Sequence, residues 1–128
     1  MKSLLIVKAV IEIFAGLAFA LFPSGIIFIL LGEPLETPAS ISTVRMFAAA
    51  IFALGLACWL SRNDGESPAA TGLITALLFY DAAFVVVLLS AHWGMGLTGV
   101  GLWPVVGLHS VLAGLSIFCL WRRIILKA

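Results

Sequence analysis

Apolar residues run along this chain in four long blocks, each closed by a short polar or helix-breaking stretch. The first covers about residues 4–22 and stops at Pro23-Ser24-Gly25; the second covers 41–60 and ends in Ser61-Arg62-Asn63-Asp64-Gly65-Glu66-Ser67-Pro68. The third covers 71–91 and gives way to a stretch holding Gly94, Gly96, Gly99 and Gly101; the fourth covers 102–121 and is closed by Arg122-Arg123. About 20 mostly apolar residues is the length a helix needs to cross a bilayer. Strand alternation is absent, so a barrel does not compete. The expected fold is therefore all-α: one polytopic membrane domain, residues 1–128, built as a bundle of four transmembrane helices. Residues 25–31 are apolar but too short to cross. They read either as a tilted or kinked extension of the first helix or as an interfacial or re-entrant piece on the outer side that caps a cavity.

The tryptophans mark the same boundaries independently. Trp59 and Trp121 fall at one proposed surface, Trp93 and Trp103 at the other, where an indole keeps its ring apolar and its N–H wet. Composition then fixes the environment. Hydrophobic residues make up 63% and charged residues 10% of the chain, against roughly 25% charged in an average soluble domain. A domain this small cannot cover its surface with so few polar groups, and disorder needs the opposite composition. The net charge of +1 offers no basic footprint, so nucleic acid is not an expected partner.

Basic residues outside the spans set the expected orientation. Lys2, Arg62, Arg122, Arg123 and Lys127 flank one side, whereas the first loop carries only Glu33 and Glu36. The positive-inside bias places both termini and the second loop in the cytoplasm of an inner (plasma) membrane protein. Met1-Lys2 followed by an apolar stretch and Ala18-Phe19-Ala20 imitates a cleavable signal peptide. Lys8 and Glu12 interrupt the apolar region, so a retained helix is expected.

Thirteen residues are charged, and nine of them are explained by topology. Lys8, Glu12, Arg45 and Asp81 lie inside the spans, joined by His109, so every helix carries an ionisable group. Such groups cost about 2.5–3.5 kcal/mol each at a helix centre on insertion scales, and they default to function. At about 1.5 Å per residue, Glu12 lies ~12 Å from the cytoplasmic start, Arg45 ~6 Å and His109 ~10 Å below the outer surface, and Asp81 near the midplane. Glu12, Arg45, Asp81 and His109 can thus share the middle and outer half of one bundle. Lys8 is shallow enough to snorkel to the cytoplasmic surface. Arg45 can reach out to headgroups or in to a carboxylate, and a structural Arg–Asp or Arg–Glu pair competes with a functional cluster. Lys8, Glu12 and Gly16 fall on one stripe; Ala49, Ala53 and Ala57, and Ser110 with Gly114, form small-residue stripes on the second and fourth helices.

Other chemistries find little support. Cys58 and Cys119 lie near cytoplasmic helix ends without a Cys-x-x-Cys motif and read as packing residues. Haem needs two facing histidines inside the bilayer, and only His109 is so placed. The remaining donors make a poor metal set, and no phosphate-binding loop or nucleophile motif occurs. No cofactor or metal is expected.

With the spans placed, the chain resembles the small four-helix bacterial membrane proteins of the DoxX-like group. The carrying features are Ala20-Leu21-Phe22-Pro23, Leu30-Leu31-Gly32, a polar loop, and Arg45 opening the second helix ahead of Leu54-Gly55-Leu56. The resemblance implies association with quinone-linked oxidoreductase subunits or membrane-complex scaffolding, and carries over Arg45 as a family-like position. Val10-Ile11-Glu12-Ile13 also resembles the first-helix glutamate of small multidrug transporters, although Lys8, Arg45 and Asp81 depart from that pattern.

The expected function is a non-enzymatic accessory subunit or binding module for an apolar, lipid- or quinone-like ligand, with Glu12, Arg45, Asp81 and His109 facing a cavity open toward the outer half. The expected partners are the bilayer and a lipid, quinone or partner membrane subunit. The alternative is a proton-coupled small-molecule transporter working as a homo-oligomer around Glu12 and Asp81. A third reading uses Asp81 or Glu12 as acid/base on a lipid or quinone, with His109 assisting.

Overall fold

The computed structural model describes residues 1–65 and 67–125. Glu66 and Lys127, both assigned above to the cytoplasmic side, lie outside the described residues. Among the described residues five helices follow one another: α1 (Lys2–Leu21), α2 (Pro23–Leu31), α3 (Pro38–Ser61), α4 (Pro68–Met95) and α5 (Leu102–Ile125). α1, α3, α4 and α5 are long and apolar enough to cross a membrane. The protein is thus an all-α chain of four candidate spans, with α2 as a fifth, shorter element.

Local chemistry explains the boundaries. α1 stops because Pro23 pushes Phe22 out of the helical region, to φ −128° and ψ 53°, and Pro23 then opens α2 at a position where its missing N–H costs nothing. Residues 23–31 are therefore a separate helix rather than an extension of α1. α3 begins at a reciprocal capping box: the Thr37 side chain accepts from the Ser40 N–H at 3.1 Å, and the Ser40 hydroxyl accepts from the Thr37 N–H at 3.3 Å. Pro38 follows the cap, so the helix starts three residues earlier than the apolar run at 41. Ser67 caps α4 in the same manner, accepting from the Ala70 N–H at 3.0 Å. α4 also runs past Ala91 through Gly94 to Met95 and ends at Gly96. At 28 residues it is about 42 Å long, more than the roughly 30 Å hydrocarbon core.

The spans associate as two pairs. α1 packs along α3 and α4 along α5, whereas contacts between the pairs are sparse. The α1–α3 approach depends on glycine. A Cβ on Gly16 would sit 2.8 Å from both the Cβ and the backbone N of Phe52, and one on Gly55 would sit 2.8 Å from the backbone N of Ile13. Ala9 and Ala48 are buried in the same interface. The packing stripe on α3 is therefore Ala48, Ile51, Gly55 and Cys58. The expected stripe of Ala49, Ala53 and Ala57 is displaced by one position: Ala49 and Ala53 are exposed, because the close contact is set by the residue lacking a side chain. Ser110 and Gly114 on α5 likewise face outward.

Between the pairs runs a seam. At one end Leu4, Leu5, Ala9, Cys58, Ile74 and Leu77 close it, and at the other Phe19, Leu30, Ala48 and Ile51 do so. α2 rests on the second end, against α1, α3 and α5. It is held there by the glycine-bearing loop ahead of α5: the Gly101 N–H donates to the Ile29 carbonyl at 2.8 Å. A Cβ on Gly99 would collide with the Ile29 and Leu30 backbone.

The outer surface is apolar. Phe14, Phe79 and Val86, each in mid-helix, are 68%, 72% and 64% exposed, an arrangement that water penalises and lipid does not. Trp59, Trp93, Trp103 and Trp121 are all exposed near helix ends, and the Arg62 guanidinium lies 3.9 Å over the Trp59 ring. Several serine and threonine hydroxyls within the spans return to their own helix, as Ser116 does to the Leu112 carbonyl at 2.8 Å.

The interface makes a contrast that thermal unfolding in a neutral detergent, followed by circular dichroism, can read. Gly16→Ala and Gly55→Ala should each destabilise the protein by about 1–3 kcal/mol through overpacking. Gly114→Ala, whose Cβ would meet nothing within 4 Å, should be neutral or stabilising by up to about 1 kcal/mol. Equal effects at all three positions would contradict the α1–α3 contact.

Candidate functional site

The seam is apolar at both ends and polar in the middle. α1 supplies Lys8 and Glu12, one turn apart and therefore on one face. α4 supplies Tyr80 and Asp81, and α5 supplies His109. Lys8 and Asp81 are both 0% exposed and form a salt bridge through Nζ and Oδ2. His109 Nδ1 lies 2.9 Å from the other carboxylate oxygen, Asp81 Oδ1, so that an Nδ1–H donates to the carboxylate. Asp81 thus takes a nitrogen donor on each oxygen, one from α1 and one from α5.

The position of Lys8 corrects the expectation that it snorkels to the cytoplasmic surface. Its ammonium turns inward because Asp81 offers a charge partner in a setting where an unpaired carboxylate would be costly. Arg45 lies apart from this cluster. It is exposed on the second turn of α3, and its Nε donates to the Ala20 carbonyl at 3.3 Å. Ala20 is in the last turn of α1, whose carbonyls have no partner within the helix. Arg45 therefore caps α1, and the favourable placement of a cation at a helix C-terminus adds to that bond.

Glu12 is the unusual member. It is 1% exposed, yet among the described residues its Oε1 has no hydrogen-bond partner and it forms no salt bridge. The Tyr80 side chain lines the same cavity as its carboxyl group. Glu12 and His109 both line a cavity of about 260 Å³ whose other walls include Ala15, Phe19, Ile51, Tyr80, Phe84 and Leu108. With Nδ1 committed to Asp81, Nε2 is the ring nitrogen left to this cavity. A second cavity of about 370 Å³, lined by Ile27, Leu31, Phe47, Ala83, Val87 and others, shares Phe19, Leu30, Tyr80 and Phe84 with the first. Both lie against α2. Exposed residues border them, Val87 at the larger and Ile29 and Leu108 at the smaller, so their rims face the lipid side rather than a helix end.

Aromatic rings hold the imidazole and line the cavities. Phe84 stands 4.5 Å from the His109 ring and Tyr80 5.8 Å. Phe47 stacks on Phe84 at 6.2 Å with an interplanar angle of 7°, and Phe19 meets Phe47 edge-on at 5.6 Å. Of the four residues singled out from sequence, Glu12, Asp81 and His109 come together and Arg45 does not. Lys8 and Tyr80 complete the group. Tyr80 carried a signal of its own, being the single tyrosine of the chain, in mid-span and beside an aspartate. Cys58 is buried in the core near the start of α1, and Cys119 packs against the same cluster. Among the described residues no three His, Cys, Asp or Glu side chains converge as a metal site would require.

The pairing can be weighed with a double-mutant cycle read by unfolding in detergent. Asp81→Leu or Lys8→Met strands one buried charge and should cost about 3–5 kcal/mol. Lys8→Met combined with Asp81→Leu removes both charges and should recover most of that loss. Single costs that simply add in the double variant would contradict the pair.

Compared with known proteins, the chain matches no family model, no curated protein and no solved structure.

Proposed function

We propose that this protein is a binding module of the bacterial inner membrane that holds an amphiphilic, lipid- or quinone-like ligand inside its own helix bundle. The larger cavity receives the apolar body, and the smaller one brings the polar head to Glu12 and His109. The observation that carries this reading is Glu12: a buried carboxylate with one oxygen unpartnered, in a cavity whose walls are otherwise almost wholly apolar. A purely structural carboxylate would be satisfied by protein groups, as Asp81 is. Pockets that are mostly apolar with a few convergent polar groups are the usual form of small-molecule sites.

Binding is favoured over passage across the membrane by the asymmetry of the seam. Beyond Lys8 it is closed by Leu4, Leu5, Ile74 and Leu77, and the cavity bordered by Glu12 and His109 and its larger neighbour lie on the α2 side; a groove of about 300 Å³ at the other end, lined by Leu4, Val7, Leu115 and Phe118, holds none of the seam's charges. Basic residues at the closed end (Lys2, Arg62, Arg122 and Arg123) support placing that end in the cytoplasm, with Glu33 and Glu36 opposite. The ligand then enters sideways from the outer half of the bilayer, beside α2.

Native mass spectrometry from a mild neutral detergent tests the reading. The wild-type chain should carry an amphiphile adduct at one per chain. Ala15→Phe, which fills the smaller cavity, should remove the adduct while leaving the helix content unchanged. An adduct that survives Ala15→Phe, or a wild-type chain that carries none, would contradict the proposal.

A further inference from the structure

Capping α1 does not exhaust Arg45. A guanidinium presents five N–H donors in one plane, and the Ala20 carbonyl takes only the one on Nε. The two terminal nitrogens meet no acceptor among the described residues. Arg45 forms no salt bridge among them either, so Glu33 and Glu36 of the preceding loop do not neutralise it. The other cations are elsewhere: Lys8 is engaged with Asp81, and Lys2, Arg62, Arg122 and Arg123 flank the opposite end. Arg45 is thus an exposed, permanently charged fork. It is fixed at Nε and open at the edge formed by its two terminal nitrogens.

A groove of about 240 Å³ adjoins this fork, and Arg45 is the one polar side chain that lines it. Sequence and packing explain the hollow. Gly16 and Ala20 of α1 and Ala48 and Ala49 of α3 border it. Side chains this small leave a furrow beside two helices that approach as closely as Gly16 and Phe52 do. Leu17 and Phe52 supply the larger walls. From Arg45 to Phe52 α3 runs about 10 Å, away from its loop end and toward the middle of the span. No residue of this groove lines either seam cavity, so the two places are separate.

A cation at the mouth and an apolar furrow running inward match a phospholipid in order as well as in chemistry: phosphate outermost, acyl chain beneath. Two terminal nitrogens in one plane suit two oxygens of a phosphodiester. A free phosphate would leave the furrow unused. A neutral glycolipid would leave the guanidinium without a counter-charge in a span, where that is costly. We infer that the groove between α1 and α3 is a phospholipid site, with the phosphodiester held by the Arg45 fork and one acyl chain lying against Gly16, Ala49 and Phe52. Arg45 then ties the end of α1, the start of α3 and a lipid together. The site stands apart from the seam, and neither reading depends on the other. Leu17 and Ala49 are exposed and leave the groove open to the bilayer, so its lipid exchanges freely and is read in membranes rather than in detergent.

Photo-crosslinking in phosphatidylcholine vesicles tests the site. The probes are phosphatidylglycerol and monoglucosyldiacylglycerol with the same diazirine-bearing acyl chain; the second carries a neutral sugar in place of the phosphate. Labelled positions are mapped by peptide mass spectrometry and scaled to the exposed Phe79 and Val86 of α4. The phosphatidylglycerol probe should label residues 16–20 and 48–52 at least about fivefold more than the glycolipid probe does. Arg45→Gln should bring the two probes to one level. Arg45→Lys, which keeps the charge but not the fork, should retain part of the difference. Ala49→Phe fills the groove from an exposed position and should lower phosphatidylglycerol labelling to the glycolipid level with helix content unchanged. Ala15→Phe, in the seam, should alter nothing here. Equal labelling by the two probes in the wild type, or a difference that survives Arg45→Gln or Ala49→Phe, would overturn the phospholipid site and leave the ligand of the seam untouched.

Discussion

The salt bridge between Lys8 and Asp81 joins two halves that otherwise barely touch. α1 and α3 form one tight pair through Gly16 and Gly55, α4 and α5 form another, and the seam between them is too open for backbone packing to close. In lipid the pairs gain little by excluding water, since the surrounding chains are as apolar as the helices themselves. A buried ion pair across the seam supplies the missing specificity. Separating the pairs would strand an ammonium and a carboxylate in hydrocarbon, so the two charges register α1 against α4. The cost is that both must remain satisfied, and Asp81 is arranged for that, with Lys8 on one oxygen and His109 on the other.

The same arrangement creates the functional asymmetry. Two carboxylates enter the seam, but the nitrogen donors are gathered on one of them. Asp81 is saturated and structural. Glu12, one turn from Lys8, lines the cavity with an oxygen that no described side chain meets. Fixing His109 through Nδ1 turns its remaining nitrogen to the same space. Aromatic side chains at 19, 47, 80 and 84 keep that space from collapsing, because their planar rings brace one another across the seam. α2, pinned by the loop before α5, lies against the cavities and leaves gaps on its two flanks. On the proposed reading, stability rests on Asp81 and ligand binding on Glu12, two acidic residues of nearly identical chemistry.

The sequence exposed the spans because length, hydropathy and the placement of four tryptophans are one-dimensional signals. It also exposed that Glu12, Asp81 and His109 fall at overlapping heights along the bundle, since rise per residue converts position to height. Rotation about each helix was harder to see. Ala49, Ala53 and Ala57 form as good a stripe on paper as Ala48, Ile51 and Gly55, and only the close approach of Gly55 to Ile13 and of Phe52 to Gly16 decides between them. Arg45 has the reach to enter the cluster, but it finds an unpaired carbonyl at Ala20 closer at hand. Lys8 has the length to leave the membrane, but Asp81 from a helix 73 residues away holds it in place. Such long-range choices have no local signature. The break at Phe22 did have one, in the proline that follows it, and so did the early start of α3 at Thr37-Pro38.

The division of labour between Asp81 and Glu12 is the claim on which everything else rests, and nitrogen-to-carboxyl distances by solid-state NMR in lipid bilayers address it directly. With lysine and histidine nitrogens and the acidic carboxyl carbons isotopically labelled, Asp81 should show close dipolar contact with both Lys8 Nζ and His109 Nδ1. The Glu12 carboxyl should show no direct contact with the lysine. A Lys8 nitrogen paired with Glu12 and leaving Asp81 free, or one exchanging with water at the membrane surface, would contradict the account.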